Sequence, residues 1–263
     1  MIEGLRDVTL AGRDTGEALG AYEALLGVPP TLADGHAPRF RLANMDLAVA
    51  PGAADRLHGL TFTVKGLDHA ERLLANRGVA TAAFASADEA AFGSAGAEPG
   101  PRRIIDAAAS HGVHVALVEA PPRDTVVWAQ PSLDAPGTIV GLDHVVLRTP
   151  APERALAFYG ARLGLSLRFD QTYADWGSRI MLFRCGDLIV EVVHDVKKGV
   201  SEGPDDLWGF SWRTSDIEAA RIRLAGAGFA VSELRSGRRP GSQVFTVRDG
   251  TLGIPTIVIG GEG

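Results

Sequence analysis

Apolar and polar positions alternate along Gly4-Leu5-Arg6-Asp7-Val8-Thr9-Leu10 in the manner of a half-buried strand. A near copy, Gly141-Leu142-Asp143-His144-Val145-Val146-Leu147, follows at an offset of 137 residues. The same offset relates Ala18-Leu19-Gly20-Ala21-Tyr22 to Ala155-Leu156-Ala157-Phe158-Tyr159, and Leu26-Gly27 to Leu163-Gly164. Each copy predicts a strand, then a helix with apolar residues at helical spacing, then a glycine stop. A second pair stands at an offset of 150: Leu57-His58-Gly59-Leu60-Thr61-Phe62 and Leu207-Trp208-Gly209-Phe210-Ser211-Trp212. These lead into helices expected over 69–77 and 217–227. Gly78 and Gly228 then stand where a left-handed residue is wanted past a helix end.

The chain therefore reads as strand–helix–strands four times over, an α+β tandem repeat of βαβββ modules paired into two cups. In the third module the strands are expected at 140–147, 166–171, 180–184 and 188–194. Its helix is expected at 152–163, with Pro152 in the first turn, where its missing N–H costs nothing. The halves span 1–120 and 138–263. Between them, 121–137 is rich in Pro and Gly and reads as a linker, with Val126-Val127-Trp128 packing onto a domain. Residues 82–100 and 199–206 read as loops.

Composition narrows the function. The chain has 263 residues and is 46% apolar, with Lys+Arg 26 against Asp+Glu 32, a formal charge of −6. That is ordinary for a globular protein and lacks the dense basic surface of a nucleic-acid binder. The one short cluster, Arg235, Arg238 and Arg239, reads as a solvated loop. A single cysteine, Cys185, excludes an intramolecular disulfide, and in its apolar run it reads as a core residue. No stretch approaches the roughly 20 apolar residues of a membrane helix. Met1 to Asp7 is neither basic nor apolar as a signal peptide would be, so a cytoplasmic protein with no membrane or nucleic-acid partner is expected.

The segments 141–147, 155–159 and 163–165, with Asp187-Leu188-Ile189-Val190-Glu191-Val192, resemble the vicinal oxygen chelate superfamily, which holds glyoxalase, bleomycin-resistance and ring-cleaving dioxygenase proteins. The first half follows the same plan more weakly. The resemblance implies two eight-stranded cups, each able to hold a divalent metal on the first and fourth strands of its modules. It places His144 and Glu191 at two such positions in the third module, and Gly209 and a residue near Thr256 in the fourth. In the first module the positions fall on Asp7 and Ala50, and in the second on Gly59 and either His114 or Val115. His144 and Glu191 would ligate a divalent Zn, Ni, Mn, Fe or Mg ion or act as the acid–base pair. The absent second His and second carboxylate disfavour ring-cleaving dioxygenase chemistry.

Strand parity refines this cup. His144, Val146 and Arg148 share a face, as do Gly209, Ser211 and Arg213. Arg148 and Arg213 are thus expected to hold an anionic ligand group, unless they reach water at the strand ends. Glu191 in an apolar strand needs a partner: His144, an arginine or a metal. Ser211, Tyr173 and Trp176 complete the expected ligand contacts, the last two on a loop over the opening. Parity turns His58, His194, Trp208 and Trp212 to the other face. The function expected is a lyase, isomerase or epimerase acting on a small oxygenated, anionic metabolite. The alternative is a metal-free binding protein of the bleomycin-resistance type, with the first half a degenerate scaffold in either case. A pseudo-dimeric monomer or a homodimer would satisfy both.

Overall fold

The computed structural model describes residues 1–32, 37–85, 92, 101–119 and 135–261. The linker expected at 121–137 therefore lies outside the described residues up to 134, as do Val126, Val127 and Trp128. Two mixed sheets organise the chain. The first runs β2-β3-β1-β4-β7-β6-β5. Its strands are β1 (Ile2–Gly12), β2 (Arg39–Arg41), β3 (Asp46–Pro51), β4 (Arg56–Val64), β5 (Thr81–Ala83), β6 (Arg102–Ile105) and β7 (His114–Glu119), with helices α1 (Thr15–Leu26) and α2 (Leu67–Asn76).

The second sheet runs β13-β14-β15-β12-β8-β11-β10-β9. It contains β8 (Ile139–Arg148), β9 (Ser166–Tyr173), β10 (Ser178–Cys185), β11 (Leu188–Asp195), β12 (Asp206–Thr214), β13 (Arg235–Ser236), β14 (Gln243–Val247) and β15 (Thr256–Gly260). Its helices are α3, which starts as Pro152–Ala155 and continues as a π-helical stretch over Leu156–Arg162, and α4 (Ile217–Gly226). Modules pair within a half: β1 lies antiparallel to β4, and β8 to β12. Gly27, Gly78, Gly164 and Gly228 all have positive φ, so each predicted helix stop is a left-handed turn.

One face of each sheet carries Val8, Leu10, Leu60, Phe62, Val145, Leu147, Phe210 and Trp212, all at most 1% exposed, and packs on the helices. This core runs through both halves without a break. Between the halves, Arg223 of α4 donates to the α1 carbonyls of Ala24 (2.6 Å) and Leu25 (2.7 Å) and to Gly137 (3.0 Å). Arg77 donates to the Arg162 carbonyl at the end of α3. Asn44 brackets Leu142, accepting from its N–H and donating to its carbonyl.

The strand registers move three of the expected ring positions. Glu191 pairs with Val146, two residues past His144. The matching residues are Ala48 beside Thr9, Ala116 beside Thr61 and Ile257 beside Ser211. These replace Ala50, the choice of His114 or Val115, and Thr256. Thr256 pairs with Phe210 on the core side, its hydroxyl bound to the Ile254 carbonyl.

Candidate functional site

The centre of the second cup is set by two interruptions in the β8–β12 ladder. Pairing runs Leu142–Trp212, then His144–Ser211, so Asp143 is an extra residue in β8. On β12 the pairs Leu147–Leu207 and Val146–Gly209 leave Trp208 as the extra residue. A bulge re-aims the side chain it inserts. Asp143, which strict alternation turns into the core, instead reaches His144. Trp208, expected on the outer face, meets Arg148, whose guanidinium lies 3.8 Å from the ring centroid.

His144 stands between two carboxylates. Its Nδ1 is 2.9 Å from Asp143 Oδ2 and its Nε2 is 3.0 Å from Glu191 Oε2. Ser211 Oγ lies 2.5 Å from Nε2. Burial alone would depress the imidazole, but the hydrogen bonds to Asp143 and Glu191 outweigh it and raise the pKa above its ordinary value. Burial would raise Glu191, yet His144 first and Arg238 after it bring it below the usual carboxylate value. Asp143 is likewise held well below that range, against the effect of its own burial. Both ring nitrogens thus face carboxylate oxygens, an arrangement that favours the charged imidazole.

The arginines divide differently from the expectation. Arg213 donates from Nε to Asp143 Oδ1 (3.1 Å) and from Nη1 to Asp187 Oδ2 (3.2 Å), and it also donates to the Asp187 carbonyl. It braces the site. Arg239 donates to the same Asp143 oxygen at 2.8 Å. Arg238 lies 5.8 Å from the Tyr173 ring and 5.3 Å from the Trp176 ring. The Arg-rich segment is therefore a wall of the cup, where sequence reading gave a solvated loop. Arg148 is exposed at the other end of the His144 face, beside Trp208. Tyr173 and Trp176 stack with centroids 4.6 Å apart at the rim, and Trp176 is 56% exposed. Between the rim and His144, the partly exposed Phe169, Leu182, Val193 and Ile257 line this face. An apolar cup with a few converging polar groups is the usual form of a small-molecule site.

His194 does face away, its Nδ1 3.0 Å from the Thr149 carbonyl, and Trp212 is fully buried in the core. Cys185 is buried, and burial pushes its thiol up to about 12. In the first half, a bulge at His58 turns that ring toward His114, 4.5 Å between centroids, where parity alone points it away.

The donor set fits a divalent metal only in part. Asp143 behind Nδ1 is the backing a ligating histidine takes. However, His144 Nε2 and Glu191 Oε2 are the strong donors, and the remaining cup positions supply a hydroxyl (Ser211), a glycine (Gly209) and an aliphatic chain (Ile257). That falls short of the three or four protein ligands of a tight site. Among the described residues no group of three or more His, Cys, Asp or Glu side chains is placed to hold a metal ion, Asp143 facing the far nitrogen of His144.

Residues 143–246 match the family described as the glyoxalase/bleomycin resistance protein/dioxygenase superfamily. The matched stretch lies wholly in the second half, which is similar to that superfamily. Solved structures extend the fold to the whole chain. A catechol 2,3-dioxygenase is 17% identical with a TM-score of 0.72, over 99% of this chain and 93% of its own. The 2,3-dioxygenase LapB from Pseudomonas sp. KL28 is 14% identical with a TM-score of 0.72, over 100% and 93%. The Mn(II)-bound glyoxalase from Novosphingobium aromaticivorans is 15% identical with a TM-score of 0.68, over 98% and 82%. At such identities the likeness is one of fold and does not choose among oxygenase, lyase and isomerase chemistry. No curated protein sequence matches significantly. Among the described residues no helix is long and apolar enough to cross a membrane.

Proposed function

We propose that the second cup is the site of a small-molecule enzyme of the lyase, isomerase or epimerase type, moving a proton on an oxygenated, anionic metabolite. The observation that carries this reading is the Asp143–His144–Glu191 line, an imidazole bridged by two carboxylates at one end of an apolar cup. Glu191, ionised in the resting cup, accepts the proton from an acidic C–H. The His144 imidazolium donates from Nε2 to the oxygen on which negative charge develops. Asp143 is a positioning residue: it fixes the ring and favours its charged form. Ser211, beside Nε2, orients the same substrate oxygen. Arg148 and Arg238, both directed at the rim, are suited to hold the substrate's anionic group. Arg213 is committed to Asp143 and Asp187. Tyr173 and Trp176 cover the bound molecule.

No step here runs through a metal, because the donor set does not fit a tight site. A second reading, a binding protein of the bleomycin-resistance type, is favoured by Gly209 and Ile257, which leave two ring positions without polar function. One experiment separates the readings. The protein is incubated in D₂O with a panel of enolisable oxo acids, with and without added Mn, Ni or Zn, and followed by proton NMR. Deuterium uptake that disappears in Glu191→Gln supports the enzyme without metal. Uptake that requires the added ion makes His144 and Glu191 metal ligands. Ligand-induced shifts with no exchange anywhere in the panel favour the binding protein.

A further inference from the structure

We propose that Asn44, in the turn between β2 and β3 of the first half, is a positioning residue for the Asp143–His144 line of the second. The inference deepens the acid–base reading above and rests on it for its catalytic consequence. The turn seats on β8. The Ala43 N–H donates to the Val140 carbonyl at 2.9 Å. Beside it, Asn44 Oδ1 accepts from the Leu142 N–H at 2.9 Å, and Nδ2 donates to the Leu142 carbonyl at 2.7 Å. Nδ2 also donates to Asp187 Oδ2 at 3.2 Å.

Strand pairing explains why a side chain is needed there. β11 meets β8 only from His144 to Arg148. The same register carried back would set Asp187 opposite Leu142, but Asp187 lies in the turn between β10 and β11. Among the described residues no strand covers that edge of Leu142, and Asn44 supplies its N–H and C=O with the bonds a strand would give. Gly141 makes the room. A Cβ at that position would stand 2.8 Å from Asn44 Oδ1.

Both targets of the Asn44 amide lead to Asp143. Leu142 is the residue before the inserted one. Asp187 accepts from Arg213, which in turn donates to Asp143 Oδ1. Asn44 thus holds the bulge by its backbone and steadies the arginine that braces its carboxylate. A bulge is a local irregularity, and a slip of one residue would turn Asp143 away from His144 Nδ1. The reciprocal seat, where Gly186 approaches Glu3 and Gly4 of β1, carries no side chain, so the Asn44 bracket has no twin there. The first half is therefore more than a scaffold, because it fixes a residue of the second cup.

The test follows the His144 Nδ1–H proton by NMR in the full chain, with isotope-labelled histidine and in mildly acidic buffer. Its 2.9 Å contact with Asp143 slows exchange of that proton with water. Asn44→Ala removes the bracket. Gly141→Ala displaces the amide and leaves every polar side chain in place, so it carries the test if Asn44→Ala fails to fold. In each variant that circular dichroism shows to be folded, Nδ1–H should exchange about tenfold faster, as expected for one weakened hydrogen bond. In an Asp143→Ala background, which has no carboxylate to position, Asn44→Ala should add nothing. Arg223→Ala, which cuts a contact between the halves away from the cup, should leave the parent rate unchanged. The proposal is overturned if a folded Asn44→Ala or Gly141→Ala chain keeps the parent rate. It is equally overturned if Asn44→Ala still accelerates exchange without Asp143, or if Arg223→Ala accelerates it as much. Turnover separates this result from the acid–base reading. With a substrate that the parent deuterates, Asn44→Ala should lower kcat about tenfold and leave KM unchanged. A parent that deuterates nothing refutes the acid–base reading and leaves the Nδ1–H result standing.

Discussion

Replacing Asp143 by Asn tests whether a bulged carboxylate sets the charge of His144. The amide keeps the shape of the side chain and can still accept from Nδ1–H at the 2.9 Å now spanned to Asp143. The charge is lost, and with it the oxygen that accepts from Arg213 and Arg239. His144 is held above its ordinary value by two carboxylates at almost equal distance, 2.9 and 3.0 Å, working against burial. A carboxylate at that range shifts a neighbour by about 1–3 units. Removing one of the two, with burial unchanged, should lower the His144 midpoint by about 1–2 units. Arg213 and Arg239, deprived of their shared acceptor, push in the same direction.

The readout is the imidazole Cε1–H resonance, identified among the seven histidines by its disappearance in His144→Gln. Linkage supplies a second readout. A histidine whose folded pKa is raised stabilises the fold fully below its unfolded value near 6.5, and that stabilisation is lost as pH rises through the folded value. The parent should therefore lose stability between mildly acidic and mildly alkaline pH, and Asp143→Asn should show a flatter profile. A midpoint that moves by less than about 0.3 unit, where 1–2 units are expected, would refute the electrostatic role of Asp143.

Other perturbations follow from the same geometry. Arg223→Ala leaves the carbonyls of Ala24, Leu25 and Gly137 without their donor, and denaturant unfolding should show a loss of about 2–4 kcal/mol. Asp7 is pushed by burial up to about 6, against the pull of Arg102, Thr61, Arg39 and Arg6. A carboxyl raised in this way destabilises the fold above its unfolded value, an effect absent below about pH 4 and complete above about pH 6. Asp7→Asn should therefore stabilise the protein by up to about 3 kcal/mol in neutral urea unfolding and by nothing in acid. Cys185, buried with its thiol pushed up to about 12, should react with a disulfide reagent only at the rate of unfolding, so rapid labelling of the native chain would contradict its core position.

The repeats made the fold legible, because each offset carries a whole strand–helix–glycine unit whose period survives loss of identity. The expected third-module strands fall inside β8, β9, β10 and β11, and the pairing of modules within each half follows from antiparallel β1–β4 and β8–β12. Apart from the roles of Arg213, Arg238 and Arg239, what sequence reading missed in the site is the work of four inserted residues. Arg6 and Asp143 interrupt β1 and β8 at the same place in the repeat, and His58 and Trp208 interrupt β4 and β12. Alternation is a rule about unbroken ladders, and beyond an insertion it assigns the wrong face. Hence His58 and Trp208 were turned away from the cups, and Asp143 was passed over beside the histidine it holds.

One signal was available. Strict alternation sends Asp143 to the same side as the fully buried Leu147, where an unpartnered carboxylate would be prohibitively costly. That contradiction has two solutions, a core ion pair or a bulge, and the histidine next in sequence favours the bulge because it offers the carboxylate a partner on the cup face. The same reasoning applies at Arg6, 137 residues earlier, where the inserted arginine lies beside Asp7 and Asp46. Both cups therefore gain a charged side chain at the same strand position through an irregularity that the repeat itself preserves. In the second cup it completes an acid–base line, and in the first it adds a cation to an arginine-lined face.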